Sequence, residues 1–175
     1  MIPAGTDLDA INEGLADDGV HLGELGEQYP ELIGDLAGTV AHAKQEGFGN
    51  LCVVHLDQPP ARVADHRDVA EQILRDTDCN TVIVRSSVGG DIVSDTYSRK
   101  AIESHQFQMI ASPDYAGSVA EFAGQVRADT TPWQWINIVL AVVVVVAVIV
   151  SVASASLRRL RDGAAADDTV TTPAV

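Results

Sequence analysis

The longest apolar run in the chain spans residues 136–155, INIVLAVVVVVAVIVSVASA, and carries no charge. At about 1.5 Å per residue, a helix of that length covers roughly 30 Å, the hydrocarbon thickness of a bilayer. Leu, Ile and Val each contribute about −0.3 to −0.6 kcal/mol to insertion, and together they outweigh the amide of Asn137 near one end. Trp133 and Trp135 precede the run, and Arg158, Arg159 and Arg161 follow it. Amphipathic rings at one interface and cations at the other are what a membrane anchor requires. The pattern predicts one transmembrane helix, with flanks, over residues 131–161.

Ahead of this run the apolar positions follow two shorter periods. Leu8, Ile11 and Leu15 keep helical spacing behind Thr6, a candidate N-cap with Asp9 three positions on, and Gly19 closes this first helix. Pro30 opens a longer helix with Leu32, Ile33, Leu36, Val40 and Ala43 on one face and Gly47 as its stop. Residues 51–56, LCVVHL, are apolar with little alternation, as expected of a strand covered on both faces. Asp65 is placed to cap a third helix with Val69, Ala70, Ile73 and Leu74 inside, and residues 81–84 form a second apolar strand. Together they predict a βαβ unit with a right-handed crossover.

Residues 85–93, RSSVGGDIV, predict a hairpin whose Gly89 and Gly90 allow the positive φ angles of a tight turn. A phosphate cradle is the other use of paired glycines, but neither GxxxxGK[ST] nor GxGxxG is present. Residues 107–111 suggest one more short strand. Ser112 and Pro113 then start a helix with Tyr115, Val119, Phe122 and Val126 on one face. The soluble domain therefore covers residues 1–130, joined to the span by a connection short enough to keep it near the bilayer. Residues 162–175 have the composition of a disordered tail.

Charge adds a direction. The chain carries −14, and the tail after the span holds three of the eleven Lys and Arg and three of the twenty-five Asp and Glu, so the excess belongs to the front domain. Such a domain is repelled by nucleic acid and by anionic lipid, which leaves a neutral or basic protein surface as its partner, or a purely solubilising role for the charge. The arginines after the span favour the tail inside and the domain outside. The first thirty residues lack a basic segment followed by an apolar one, so no cleavable signal is visible and a tail-anchored cytoplasmic topology competes. Cys52 and Cys79 read as two buried free thiols, with a disulfide open to them if the domain lies outside.

Candidate chemistry is sparse. GxSxG, HExxH and SxxK are missing, as are zinc spacings and an EF-hand loop, and nothing calls for a cofactor. His55 and Asp57 at the end of the first apolar strand, with His66 and Asp68 soon after, could be imagined as a metal or acid–base site. Isolated histidines at strand ends and helix starts more often make structural hydrogen bonds, and that is the reading adopted. Asp7, Asp9, Asp17, Asp18, Asp65 and Asp68 fall at helix ends, where capping explains those at the starts. Within the span, Ala147, Ser151 and Ala155 recur every four residues and would let a second copy pack closely as a homodimer.

The order of these elements, the LCVVHLDQPP strand end, the TVIVRSSVGGDIVSD hairpin and the closing WQWINIVLAVVVVV span resemble a family of single-pass membrane proteins from mycolic-acid actinobacteria. The resemblance covers nearly the whole chain. It implies an extracytoplasmic domain similar to the TPM domain, a three-layer α/β/α sandwich with a mixed sheet, and a link to daughter-cell separation. The implied partner is an NlpC-type peptidoglycan endopeptidase, whose helical autoinhibitory segment the domain would engage without catalysis of its own. TPM domains elsewhere have been credited with metal binding or phosphatase activity, but no acidic metal cluster carries over to this chain. A TPM-like phosphatase or other hydrolase, and a cytoplasmic tail-anchored adaptor, are the alternatives. The partner surface is expected at the loop of Gln58, Pro59 and Pro60 and at the hairpin residues Arg85, Ser86, Ser87, Gly89 and Gly90, since loops on a rigid sheet often carry binding.

Overall fold

The computed structural model describes residues 2–3, 5–129, 138–147 and 150. The chain divides into two compact units, Met1–Thr130 and Thr131–Val175. In the second unit, residues 138–147 and 150 are helical with exposed side chains. Among the described residues, no helix is long and apolar enough to cross a membrane. The rest of the 136–155 run lies outside the described residues, as do Trp133, Trp135, Ser151, Ala155, Arg158, Arg159, Arg161 and the tail 162–175.

The first unit is built on a four-stranded sheet: β1 (Val20–His21), β2 (Leu51–His55), β3 (Thr81–Ser86) and β4 (Gly89–Ser94), adjacent in that order. β1, β2 and β3 are parallel, and β4 closes the sheet antiparallel to β3. Six helices cover it: α1 (Leu8–Asp18), α2 (Gly23–Gln28), α3 (Pro30–Gln45), α4 (Asp65–Asp76), α5 (Arg99–Ala111) and α6 (Tyr115–Ala128). Because side chains alternate across a strand, β2 and β3 supply two cores at once. Leu51, Val53 and Ile83 face a core with Leu36 and Val40 of α3, Met109 of α5 and Phe122 of α6. Cys52, Val54, Val82 and Val84 face a second core with Ile11 and Leu15 of α1 and Val69 and Ile73 of α4. The result is a mixed α/β/α arrangement of three layers.

This layering breaks a common rule. The links β1–β2 and β2–β3 step the same way across the sheet, yet α3 lies on one face and α4 on the other. Two such crossovers have opposite hands, so one of them is left-handed, whereas right-handed links make up about 98% of parallel crossovers. β1 is only two residues long and constrains its link weakly.

Several local expectations are corrected. The N-cap of α1 is Asp7, which accepts from the Ala10 amide at 3.0 Å, in place of Thr6. Asp65 is the first residue of α4 and not its cap, and its carboxylate takes Arg62 Nη2 at 2.5 Å. Residues 107–111 are the end of α5 and not a strand: Ser98 caps that helix, Ala101, Ile102 and Met109 are its buried side, and Phe107 is 83% exposed. A short apolar run cannot separate the two periods by itself. In the hairpin, Ser86 pairs with Gly89, so Ser87 and Val88 make the turn and both glycines stand in β4. Gly90 is required there by close approach, because a Cβ would collide with the Val84 carbonyl oxygen. The two thiols are bonded as a Cys52–Cys79 disulfide with Cα atoms 5.9 Å apart, an ordinary separation for the bond.

Candidate functional site

In open α/β sheets, ligands settle where the loops after two neighbouring parallel strands leave toward opposite faces. Here that place is the carboxyl end of β1 and β2, since one loop leads to α2 and α3 and the other to α4. The crevice is filled by the chain itself. Asp57, two residues past β2, projects to the start of α2 and accepts from the Glu24 amide at 2.8 Å. A helix start offers unpaired N–H groups and a positive dipole end, the seat that a phosphate or carboxylate ligand would use. Gly23 has φ +53, and a Cβ there would collide with both Asp57 carboxylate oxygens. The glycine is thus the residue that lets the carboxylate come this close.

The neighbouring histidines are held in the same way. His66 is fully buried; its Nδ1 donates to the Val63 carbonyl at 2.8 Å, and its Nε2 lies 2.8 Å from Ser86 Oγ. His55, half-buried, places Nδ1 3.1 Å from the Tyr115 hydroxyl at the start of α6. Burial pushes the His55 pKa down from 6.5, the nearby Asp57 opposes this, and Arg85 adds to it. Burial likewise lowers His21, against Asp57 and Asp7. Among the described residues, no three His, Cys, Asp or Glu side chains stand together so as to hold a metal ion.

Arg85 is the polar centre of this end, and nothing in its sequence context distinguishes it from a hairpin surface residue. It is 5% exposed. Its Nη2 donates to the Ile110 and Ser112 carbonyl oxygens at 2.8 and 2.9 Å, joining α5 to the segment before α6. Its guanidinium carbon lies 3.8 Å from the centre of the Tyr115 ring. Nη1 is buried without a hydrogen-bond partner among the described residues. Burial lowers its pKa, although an arginine keeps its charge in a protein.

Of the expected partner-binding residues, Gln58, Pro59 and Ser87 are exposed, Gly89 and Gly90 are half-buried, and Pro60, Arg85 and Ser86 are buried. The two loops therefore present little more than Gln58, Pro59, Ser87 and Val88 to a partner, and Arg85 serves the inside of the fold. Most of the polar groups named at the sheet's carboxyl end take part in capping, hydrogen bonding and stacking within the chain. Among the described residues, Asp57, His55, His66 and Arg85 thus each hold another part of the fold.

Fold and site together define a small mixed α/β/α domain whose usual ligand crevice is self-filled, on a chain with a long apolar run behind it. Residues 1–168 match the family described as membrane protein Rv1476, and the chain belongs to that family. It is a membrane protein. No curated protein and no solved structure matches the chain.

Proposed function

We propose that this protein is a non-catalytic, membrane-anchored regulator whose domain binds a peptidoglycan hydrolase outside the cell membrane and activates it during cell separation. The observation that carries this reading is the self-filled crevice: Asp57 occupies the anion seat of α2, and His55, His66 and Arg85 are engaged by Tyr115, Ser86 and two carbonyls. A domain whose catalytic-looking side chains are committed to its own fold acts through its surface. The resemblance to TPM-like ectodomains supplies the partner class, an NlpC-type endopeptidase approached through its helical autoinhibitory segment. The Cys52–Cys79 disulfide supports the outward orientation, because such bonds persist in oxidising compartments and are rare in the cytosol. The apolar run 136–155 serves as the single anchor in this reading.

The test adds the full chain, in nanodiscs, to an autoinhibited NlpC-type endopeptidase and follows release of cleaved cell-wall peptides. Hydrolysis is expected to rise with the wild-type chain and to rise equally with His55→Gln, provided that variant stays folded. An unchanged rate with the wild type would sink the regulator reading. Turnover of a phosphoester or cell-wall substrate by the chain alone, lost in His55→Gln, would establish the hydrolase alternative.

A further inference from the structure

A large cavity lies at the other end of the sheet, where the amino ends of β2 and β3 meet α1 and α3. Its volume is about 660 Å³, within the range of about 300–1,000 Å³ typical of ligand sites. The cause is the shortness of β1. That strand pairs only with Val53 and Val54, so Leu51 and Cys52 run on past its end without an edge neighbour. Small residues Ala16, Ala37 and Ala41 line the space where larger ones would close it. Leu15, Val40, Leu51 and the Cys52–Cys79 disulfide give it an apolar floor.

Its rim is acidic. Asp17 and Asp18 end α1, Asp76 ends α4 and Asp78 stands in the turn before β3, all lining the cavity. No cation lies within ion-pair distance of these four among the described residues, and Lys44 is the single positive side chain in the lining. Inside the wall, the Asn12 side-chain oxygen is buried without a donor among the described residues. A buried acceptor left unmade costs about 1–3 kcal/mol, so the site is short of a donor as well as of positive charge. An apolar floor, an acidic rim without a cationic partner among the described residues and a donor-poor wall ask for one chemistry: aliphatic side chains flanked by Lys or Arg.

We propose that this cavity is the docking site for a basic amphipathic helix of a partner protein. The helix lies between α1 and α3, sends apolar side chains over Leu15, Val40 and Leu51, and sets its cations against Asp17, Asp18, Asp76 and Asp78. A groove flanked by two helices is suited to a third, which packs ridge into groove. The inference rests on the regulator reading only in taking the partner to be a protein. It moves the contact from the loops at Gln58 and Ser87 to the opposite end of the sheet.

The test uses the full chain in phosphatidylcholine nanodiscs and a fluorescent eighteen-residue Leu/Lys amphipathic peptide, with its Leu/Glu counterpart as control. Asp17 and Asp78 are exposed and their carboxylates accept no hydrogen bond among the described residues, so Asp17→Asn and Asp78→Asn leave the fold intact. Each should weaken the Lys peptide about two- to five-fold, the range of an exposed charge pair, with the effect shrinking in high salt. Ala41→Arg, which places a long cation in the mouth, should abolish binding while circular dichroism stays unchanged. Failure of the Lys peptide to bind, equal binding of the Glu peptide, or indifference to Ala41→Arg would overturn the proposal. Endopeptidase activation separates the two claims. Wild-type activation that Asp17→Asn, Asp78→Asn and Ala41→Arg all preserve removes the groove and keeps the regulator. Peptide binding with the expected pattern, but no activation by any form, keeps the groove and removes the regulator.

Discussion

The disulfide offers the most direct quantitative test. Cys52 lies in β2 and Cys79 just ahead of β3, and the bond closes a loop with a sequence separation of 27 residues around α4. In the chain-entropy account, a cross-link across that many residues removes about 3.5 kcal/mol of disorder from the unfolded chain at 25 °C. Both cysteines are buried in the core with α1 and α4, and the parallel pairing of β2 with β3 holds them together whether or not the bond exists. Reduction should therefore leave the fold in place and lower its stability by about that amount. At a urea dependence of about 2 kcal/mol per molar, the unfolding midpoint drops by roughly 1.8 M. The measurement is far-UV circular dichroism of the full chain in detergent against urea, with and without reductant, after thiol titration has shown the cysteines to be bonded. The Cys52→Ala/Cys79→Ala chain should unfold near the reduced midpoint and ignore reductant. Two free thiols in protein taken directly from the membrane, or a midpoint unmoved by reduction, would refute the reasoning and remove the oxidising compartment from the functional argument.

Further outcomes follow from individual contacts. Arg85→Met should cost about 2–4 kcal/mol, because two charge-assisted hydrogen bonds worth about 1.5–3 kcal/mol each are lost against some relief of desolvation; urea unfolding measures it, and a neutral result would deny Arg85 its bracing role between β3 and α6. Gly23→Ala should destabilise by at least about 1–2 kcal/mol from the left-handed backbone alone, with an added penalty that vanishes in the Asp57→Ala background; additive effects in that cycle would refute the close approach. His55 titrates below 6.5 in the folded chain and near 6.5 unfolded, so the unfolded state takes up protons first and this group's contribution is lost as pH falls below about 6.5. Between pH 7.5 and 5.5 the wild type should therefore lose stability relative to His55→Gln, and a constant difference would contradict the shift. Asp17→Cys added to the intact disulfide should react with a membrane-impermeant maleimide in unbroken cells, and reaction only after lysis would place the domain in the cytoplasm.

Much of the domain was legible because its elements are long or uninterrupted in pattern. Leu36, Val40 and Ala43 mark α3 by spacing, the unbroken apolar runs at β2 and β3 announce strands covered on both faces, and Val119, Phe122 and Val126 mark α6. β1 and α2 were missed because two and six residues are too few to show a period. With β1 went the strand order, and with it the crevice that Asp57 fills. α5 was partly misread because the exposed Phe107 interrupts its buried side. What His55, Asp57 and His66 hold has no sequence signal, because the Tyr115 hydroxyl, the Glu24 amide and the Ser86 hydroxyl come from distant segments. Arg85 carries no local signal of burial, since its ring contact and its carbonyl partners come from a segment 25 to 30 residues downstream. Two cysteines 27 residues apart likewise leave no mark of pairing until β2 and β3 are set side by side.

The two ends of the sheet differ in how their charges are spent, and that difference decides where a partner can act. At the carboxyl end, a carboxylate sits on a helix start and a guanidinium on two carbonyls, so a ligand arriving there has to displace bonds that hold the fold. At the amino end, the rim carboxylates have no cationic partner among the described residues, and the apolar floor has nothing above it but the cavity. Asp76 accepts from Gln72 and Asp18 from the Val20 amide, while Asp17 and Asp78 accept no side-chain hydrogen bond among the described residues and are open to an arriving cation. Mutual repulsion among the four rim carboxylates acts against the empty state and eases when cations arrive, so association should be fast and sensitive to ionic strength. Discrimination then rests on the apolar floor, because a cation alone, such as a polyamine, satisfies the rim but covers none of Leu15, Val40 or Leu51. A peptide with the same charge and its leucines replaced by serine should accordingly bind far more weakly than the amphipathic one. Equal affinities would show that the rim attracts positive charge without selecting a helix.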